Sequence, residues 1–191
     1  IGYEFLYPGC GYGGSCFPKD VNALIHTAKS KSYQPYLLQS VEKINNKQKL
    51  IICRKLMKHF KNNIKELKFA VWGLSFKPQT NDTRFAPSIE IVNFLLNKGA
   101  HVKAYDPISS IKDSINSNAK NYQEVKTSKA AMIDADALII CTEWKEFWSV
   151  DPKSFVKKMN QPVIFDGRNI YSPSSMIDND IVYYAIGRGT Q

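Results

Sequence analysis

From Leu67 onward, short apolar runs alternate with amphipathic stretches, and this alternation constrains the fold more than any other feature. "KFAVW" (68–72) is a β-rich run closed by Gly73. "PSIEIVNFLLNKG" (87–99) has Pro87 and Ser88 at its start and Gly99 just past its end, the punctuation of a helix. "HVKAYDP" (101–107) is a strand stopped by Pro107, while "ADALIICT" (135–142) and "PVIFDGR" (162–168) are apolar runs of the buried-strand kind. Helical patterns occupy 128–134 and 151–159, and "DIVYYAIG" (180–187) adds a last strand. Strands separated by helices predict an α/β domain whose sheet is parallel, doubly wound and joined by right-handed crossovers.

The first third of the chain reads differently. Residues 1–17 are loop, broken by Gly2, Pro8, Gly9, Gly11, Gly13 and Gly14. A helix starts at Pro18 and runs to about Ser30. Pro35 opens another, in which Leu37, Val41, Ile44, Gln48, Ile51, Cys53, Leu56, Met57 and Phe60 recur at three-to-four spacing. The pattern predicts one helix of about 25 residues, against a mean of about 11–12. That length suits a connecting or dimer-forming helix and equally one packed on its own domain. The character changes near residue 66, which divides a helical segment (1–66) from the α/β domain (67–191).

The chain has 191 residues, 43% of them hydrophobic, enough for a sizeable core. Its net charge of +9 suits an anionic partner. Lysines crowd 43–68, a pattern expected of a solvated helix face. No nucleic-acid reading motif or interleaved aromatics accompany them, so nucleic acid is not an expected partner. The four cysteines match no zinc spacing, so no metal site is expected, and no disulfide framework. Free thiols point to the cytoplasm. No apolar run reaches membrane-spanning length, and no membrane partner is expected. The opening "IGYEFLYPG" has no initiator Met and no signal peptide, which reads as a piece of a longer chain.

"CGYGGSCFPKD" (10–20) sets Cys16 among glycines, directly before a helix start. Free backbone N–H groups, the positive end of the helix dipole and Lys19 favour a thiolate there. An incidental cysteine in a glycine-rich turn is the competing reading. Cys10, Cys53 and Cys141 read as structural. His26, His59 and His101 form no cluster with Cys16, so a cysteine-protease arrangement is unsupported. Ligands of open α/β sheets bind beyond the carboxyl ends of the strands. There the sequence offers Lys77 and Arg84, then Asp106, then Asp166-Gly167-Arg168, a set suited to phosphate or pyrophosphate. The turn Gly73-Leu74-Ser75-Phe76-Lys77 has one glycine where a dinucleotide fingerprint needs three, so a different nucleotide fits this sheet better than NAD, and Asp106 is a weak candidate for a ribose-binding acid.

"PGCGYGGSCFPKD" (8–20) and "GLSFKPQTNDTRFAPS" (73–88) resemble the two signatures of the UDP-glucose/GDP-mannose 6-dehydrogenase family, and "GAHVKAYDP", "CTEW" and "FDGRN" follow in the family's order. The resemblance implies a central dimer-forming helix and a Rossmann-like C-terminal domain for the UDP part of the sugar nucleotide. NAD would be held mainly by an N-terminal domain outside this sequence, and the piece alone would be inactive. It further implies two-step oxidation of the sugar C6 alcohol to a carboxylate. Cys16 would be the nucleophile, forming a thiohemiacetal and then a thioester, with Asp20 placing water or sharing in proton transfer. Phe5, Leu6, Tyr7, Pro8, Gly9, Tyr12 and Gly13 would form the loop over the sugar nucleotide. Phe76, Lys77 and Arg168 would contact it, and Lys19 and Arg84 would lie near NAD. The family usually has a small aliphatic residue where Cys10 stands, so Cys10 is expected to be silent, with a disulfide to Cys16 as the alternative. Ser15 favours the UDP-glucose and GDP-mannose branch over the N-acetylhexosamine branch, with UDP-glucose the expected substrate and GDP-mannose the alternative. A nucleotide-sugar-binding module without catalysis is the further alternative.

Overall fold

The computed structural model describes residues 2–116 and 119–188, without the side chains of Glu4, Phe5 and Ala119. A 3-10 turn at Tyr3–Leu6 lies within the expected N-terminal loop. Three helices follow: α1 (Phe17–Ser30), α2 (Tyr36–Lys49) and α3 (Ile51–His59). The α/β part runs β1 (Lys68–Trp72), α4 (Pro87–Asn97), β2 (His101–Tyr105), β3 (Tyr122–Glu124), α5 (Ser128–Met132), β4 (Ala137–Ile140), α6 (Lys145–Trp148), α7 (Pro152–Lys158), β5 (Val163–Asp166), α8 (Pro173–Ile177) and β6 (Val182–Ala185).

The sheet order is β3-β2-β1-β4-β5-β6, and every neighbouring pair is parallel. This is the doubly wound, Rossmann-like order, which reverses between β1 and β4 and opens a crevice at their carboxyl ends. Side chains alternate between two cores, as the period of two in a strand requires. Phe69, Val71, Ile139 and Phe165 pack with Ile52, Leu56, Ile91 and Leu95 from α3 and α4. Trp72, Leu138, Ile140 and Ile164 face the other way, onto Met132, Phe147 and Phe155. Each fully buried side chain of this size contributes roughly 1.5–3 kcal/mol. Burial of Trp72 leaves its indole N–H needing an acceptor, and the Ser128 carbonyl supplies one at 3.0 Å.

The expected single helix over residues 35–62 is two helices that meet at Leu50. There the Leu50 N–H turns back to the Lys47 carbonyl at 3.3 Å, one residue short of the α-helical step. The Arg54 guanidinium donates to the same carbonyl at 2.9 Å. A side chain inserted into the helical ladder is a known cause of kinks. The kink lets α3 turn onto the sheet, where His59 Nδ1 shares a 2.8 Å hydrogen bond with the Tyr184 hydroxyl and Tyr184 stacks on Phe165. The sequence reading also omitted β3, α6 and α8, which are three, four and five residues long, too short to show a period.

Candidate functional site

Two stretches converge on the carboxyl edge of the sheet: the glycine-rich loop before α1 and the long β1–α4 connection. Gly11 and Gly14 take φ of +100° and +82°, values that side-chain-bearing residues rarely adopt. Around those bends the loop is fastened to α2. The Tyr12 N–H donates to Asn45 Oδ1 at 2.8 Å, Asn45 Nδ2 donates to the Tyr12 carbonyl at 3.1 Å, and Gln48 Nε2 donates to the Gly9 carbonyl at 2.7 Å. On its other side the loop meets the β1–α4 connection through a 2.8 Å bond from the Gly14 N–H to the Arg84 carbonyl. A Cβ at Gly14 would lie 2.8 Å from the Phe76 ring, so Phe76 is seated by the absence of a side chain.

The β1–α4 connection is held by Asp106, at the end of β2. Its Oδ2 accepts from the Leu74 N–H at 2.7 Å, the Ser75 N–H at 3.2 Å and the Trp144 indole at 3.1 Å. Its Oδ1 accepts from the Ile108 and Ser109 N–H groups at 3.0 and 2.8 Å. The carboxylate that the sequence reading offered weakly as a ribose ligand is therefore occupied by the protein's own donors. Asp166 behaves alike: fully buried, it accepts from the Arg168 and Ile170 N–H groups and the Tyr183 hydroxyl. Burial pushes its pKa up, and those donors pull it back.

Cys16 is exposed and is the N-cap residue of α1, with Pro18 in the first turn and Asp20 at the turn's end. The Asp20 N–H donates to the Cys16 carbonyl at 2.8 Å, and Lys19 pairs with the Asp20 carboxylate at 3.2 Å in solvent. Arg84 grips Asp82 with two hydrogen bonds, at 2.9 and 2.8 Å, and holds that carboxyl below its usual range. The Ser15 hydroxyl lies 3.8 Å from the Cys16 sulfur, and the Arg84 backbone N–H donates to Asp82 Oδ1 at 3.0 Å. The other thiols are a separate population. Cys10 has no exposed surface, Cys53 and Cys141 are buried, and burial raises their pKa values, to about 11 for Cys10 and about 12 for Cys53. All four are free, so the Cys10–Cys16 disulfide is not formed.

Arg168 leaves the end of β5 and lies between two clefts. One, of about 500 Å³, is lined by Tyr7, Gly9, Tyr12, Gly13, Phe76 and Arg168 among others. The second, of about 710 Å³, shares Tyr7 and Arg168 and adds Pro8, Trp144, Lys145, Trp148 and Arg188. The structure thus gathers Tyr7, Pro8, Gly9, Tyr12, Gly13, Phe76 and Arg168 along one edge. Lys77 is exposed on the β1–α4 connection, its Nζ 5.4 Å from the centroid of the Phe76 ring. Leu6 is 70% exposed at the end of the 3-10 turn, and the side chain of Phe5 lies outside the described residues. Cys16, Lys19 and Asp20 stand at the start of α1, outside both cleft linings, and Arg84 is an exposed cation paired with Asp82. Sequence reasoning missed Asn45, Gln48, Asp82 and Glu143. Asn45, Gln48 and Glu143 act by side-chain bonds to residues 33, 39 and 25 positions away, beyond any local pattern, whereas Asp82 binds Arg84 two residues on. Among the described residues, no cluster of three or more His, Cys, Asp or Glu side chains is placed to hold a metal ion, and no helix is long and apolar enough to cross a membrane.

Residues 1–47 match the model of the UDP-glucose/GDP-mannose dehydrogenase family, central domain, and residues 70–173 match that of the UDP binding domain of the same family. UDP-glucose 6-dehydrogenase of Pseudomonas aeruginosa is 40% identical over 98% of this chain, and UDP-glucose 6-dehydrogenase TuaD of Bacillus subtilis is 42% identical over the same share. The chain spans 42% and 40% of the lengths of those two relatives. A UDP-glucose dehydrogenase structure from Pyrobaculum islandicum superposes with a TM-score of 0.79 at 27% identity, covering 96% of this chain and 40% of that one. With both family models matched in order along the chain, the second of them across a sheet of the expected topology, the chain belongs to the UDP-glucose/GDP-mannose dehydrogenase family.

Proposed function

We propose that this chain is the nucleophile-bearing, nucleotide-sugar-binding part of an NAD-dependent UDP-glucose 6-dehydrogenase. One observation carries the reading: the glycine loop that ends at the exposed Cys16 is seated against the sheet edge where Phe76 and Arg168 line a cleft. In this reading, residues 67–191 bind the UDP portion and residues 1–66 supply the nucleophile and a dimer-forming helical segment. Arg168 and Lys77 offset the diphosphate charge, Phe76 and the loop Phe5–Gly13 enclose the sugar nucleotide, and bare backbone at the glycines lets C6 approach sulfur.

The Cys16 thiolate adds to the C6 aldehyde, forming a C–S bond and an alkoxide. NAD, when bound, accepts the hydride that C6 gives up in each of the two oxidations. Cys16 holds the resulting acyl group as a thioester. Water attacks that carbon, the C–S bond breaks and the thiolate is regained, with Asp20 positioned to relay the proton. The sheet itself does not fit a dinucleotide. Gly73 is the one glycine of the β1 turn, and the space of its missing Cβ is filled by Thr142, so no pyrophosphate reaches that backbone. The groups here that suit the cofactor are the exposed cations Lys19 and Arg84, which agrees with NAD being held mainly by another domain and with this chain alone not turning over.

The same reading includes a homodimer. Leu37, Val41 and Ile44 lie on one stripe of α2, and Leu37 and Ile44 are 77% and 65% exposed, which a second copy would cover. It places the four free thiols in the cytoplasm. Calorimetric titration of the chain with UDP-glucose, GDP-mannose and UDP-N-acetylglucosamine, repeated on Lys77→Ala, tests the assignment. UDP-glucose binds, and the substitution weakens it about tenfold, the loss expected for one charge-assisted contact. Preference for GDP-mannose would change the substrate and keep the mechanism, and failure of all three to bind would overturn the nucleotide-sugar reading for this chain.

A further inference from the structure

Glu143 follows β4 at the carboxyl edge, beside the crevice where the strand order reverses. Its Oε1 accepts a hydrogen bond from Arg168 Nη2, and the two side chains are 26% and 19% exposed. Its Oε2 is shielded from solvent and meets no donor. A carboxylate withdrawn from water with one oxygen unpartnered is a poor way to stabilise a fold, since an apolar side chain of similar volume does as well or better. What the pair does provide is geometry. On the far side of the guanidinium, Nη1 lies where a Cβ of Gly9 would stand 2.6 Å away. Below it, the Arg168 N–H donates to Asp166 Oδ1 at 2.8 Å and fixes the backbone. The guanidinium is therefore held between one carboxylate oxygen and bare backbone, in the wall shared by the two clefts.

We infer that Glu143 is the positioning residue of Arg168: it takes one edge of the guanidinium fork and so orients the remaining N–H groups toward the ligand's phosphates. The inference rests on the nucleotide-sugar reading above. Arginine carries large rotamer entropy, and a partner that orders the side chain before the ligand arrives removes that cost from binding. Charge and geometry here act with opposite sign. The carboxylate repels a diphosphate, so if charge were its only effect, removing it would tighten binding. If it positions Arg168, removing it weakens binding, while an amide oxygen in the same place preserves the hydrogen bond without the repulsion.

The test is titration with UDP-glucose of the unaltered chain, Glu143→Ala, Glu143→Gln, Arg168→Ala and the Glu143→Ala/Arg168→Ala pair, with melting temperatures taken alongside. Glu143→Ala raises Kd about tenfold, Glu143→Gln stays at or below the parent's Kd, and Glu143→Ala has no further effect once Arg168 is gone. Should Glu143→Ala fail to fold, Glu143→Asp, which keeps the charge and loses the reach, carries the same expectation. Parent-like binding by Glu143→Ala, with binding lost in Arg168→Ala, would overturn the positioning role and leave the nucleotide-sugar reading standing. An equal loss in the Arg168→Ala background would show that Glu143 acts without Arg168, and would also overturn it. If the unaltered chain binds no UDP-glucose, the nucleotide-sugar reading fails on its own. The positioning claim is then decided by the nitrogen NMR signals of the Arg168 guanidinium: restricted rotation in the parent and Glu143→Gln, free rotation in Glu143→Ala, with no difference among them refuting it.

Discussion

Alkylation of the native chain at pH 8 separates its four thiols by orders of magnitude. The nucleophile is the thiolate, so the rate follows the thiolate fraction and access. A thiol with a pKa of about 11, as burial gives Cys10, holds about one thiolate in a thousand at pH 8, and one at about 12, as for Cys53, about one in ten thousand. Cys141 is likewise pushed well up by burial. An ordinary exposed thiol of pKa about 8.5 holds about a quarter, so chemistry alone slows Cys10 about 200-fold relative to such a group. Burial slows it further, because Cys10 has no exposed surface while Cys16 is exposed. A limiting pulse of iodoacetamide, followed by unfolding and a second, mass-distinguishable reagent, reads each site by peptide mass spectrometry. One fast label on Cys16 is expected, abolished in Cys16→Ser, with the remaining three taken only after unfolding. Labelling of Cys10 within tenfold of Cys16 would refute the reasoning. It would mean that the loop lifts away from Cys141 and Gly167, which now enclose the Cys10 sulfur.

Asp106→Ala strands the N–H groups of Leu74, Ser75, Ile108 and Ser109 and the Trp144 indole, and is expected to cost about 2–4 kcal/mol of stability in denaturant titration, with Asn restoring only part. Gly14→Ala places a methyl 2.8 Å from the Phe76 ring at a φ of +82°. It costs about 1–3 kcal/mol and, by displacing Phe76, weakens nucleotide-sugar binding; parent-like stability and affinity would contradict that seating. Burial lowers the pKa of His59, so the folded state prefers the neutral ring. The stability it contributes is present above its ordinary value of 6.5 and lost as pH falls through its lowered folded value. Melting temperatures from pH 7.5 downward therefore fall more steeply in the parent than in His59→Phe, and parallel curves would remove His59 from the acid response.

What the sequence revealed and what it withheld follow from how far each determinant reaches along the chain. The sheet was legible because burial on both faces leaves its mark residue by residue: "ALII" and "VIFD" are buried at every position. The start of α1 was legible because Pro18 and Asp20 are local signals, and Cys16 because glycines and a helix start flank it directly. The break at Leu50 was not, since the apolar spacing continues through it and the Arg54 side chain that bonds the carbonyl there lies seven residues further on. The fastening of the loop was not, since Asn45 reads as an ordinary polar position and Gln48 as one more member of the recurring stripe until α2 lies beside residues 9–12. Asp106 shows the converse. Its place at a strand end suggested a ligand contact, but the same place puts it within reach of three loops that need an acceptor, and those donors claim both its oxygens. At this edge a carboxylate is available to substrate only if the surrounding backbone leaves it free, and that is a property of the assembled loops. Glu143 and Arg168 are therefore best understood as a pair, because what the arginine can offer a phosphate depends on which of its N–H groups the glutamate has already taken.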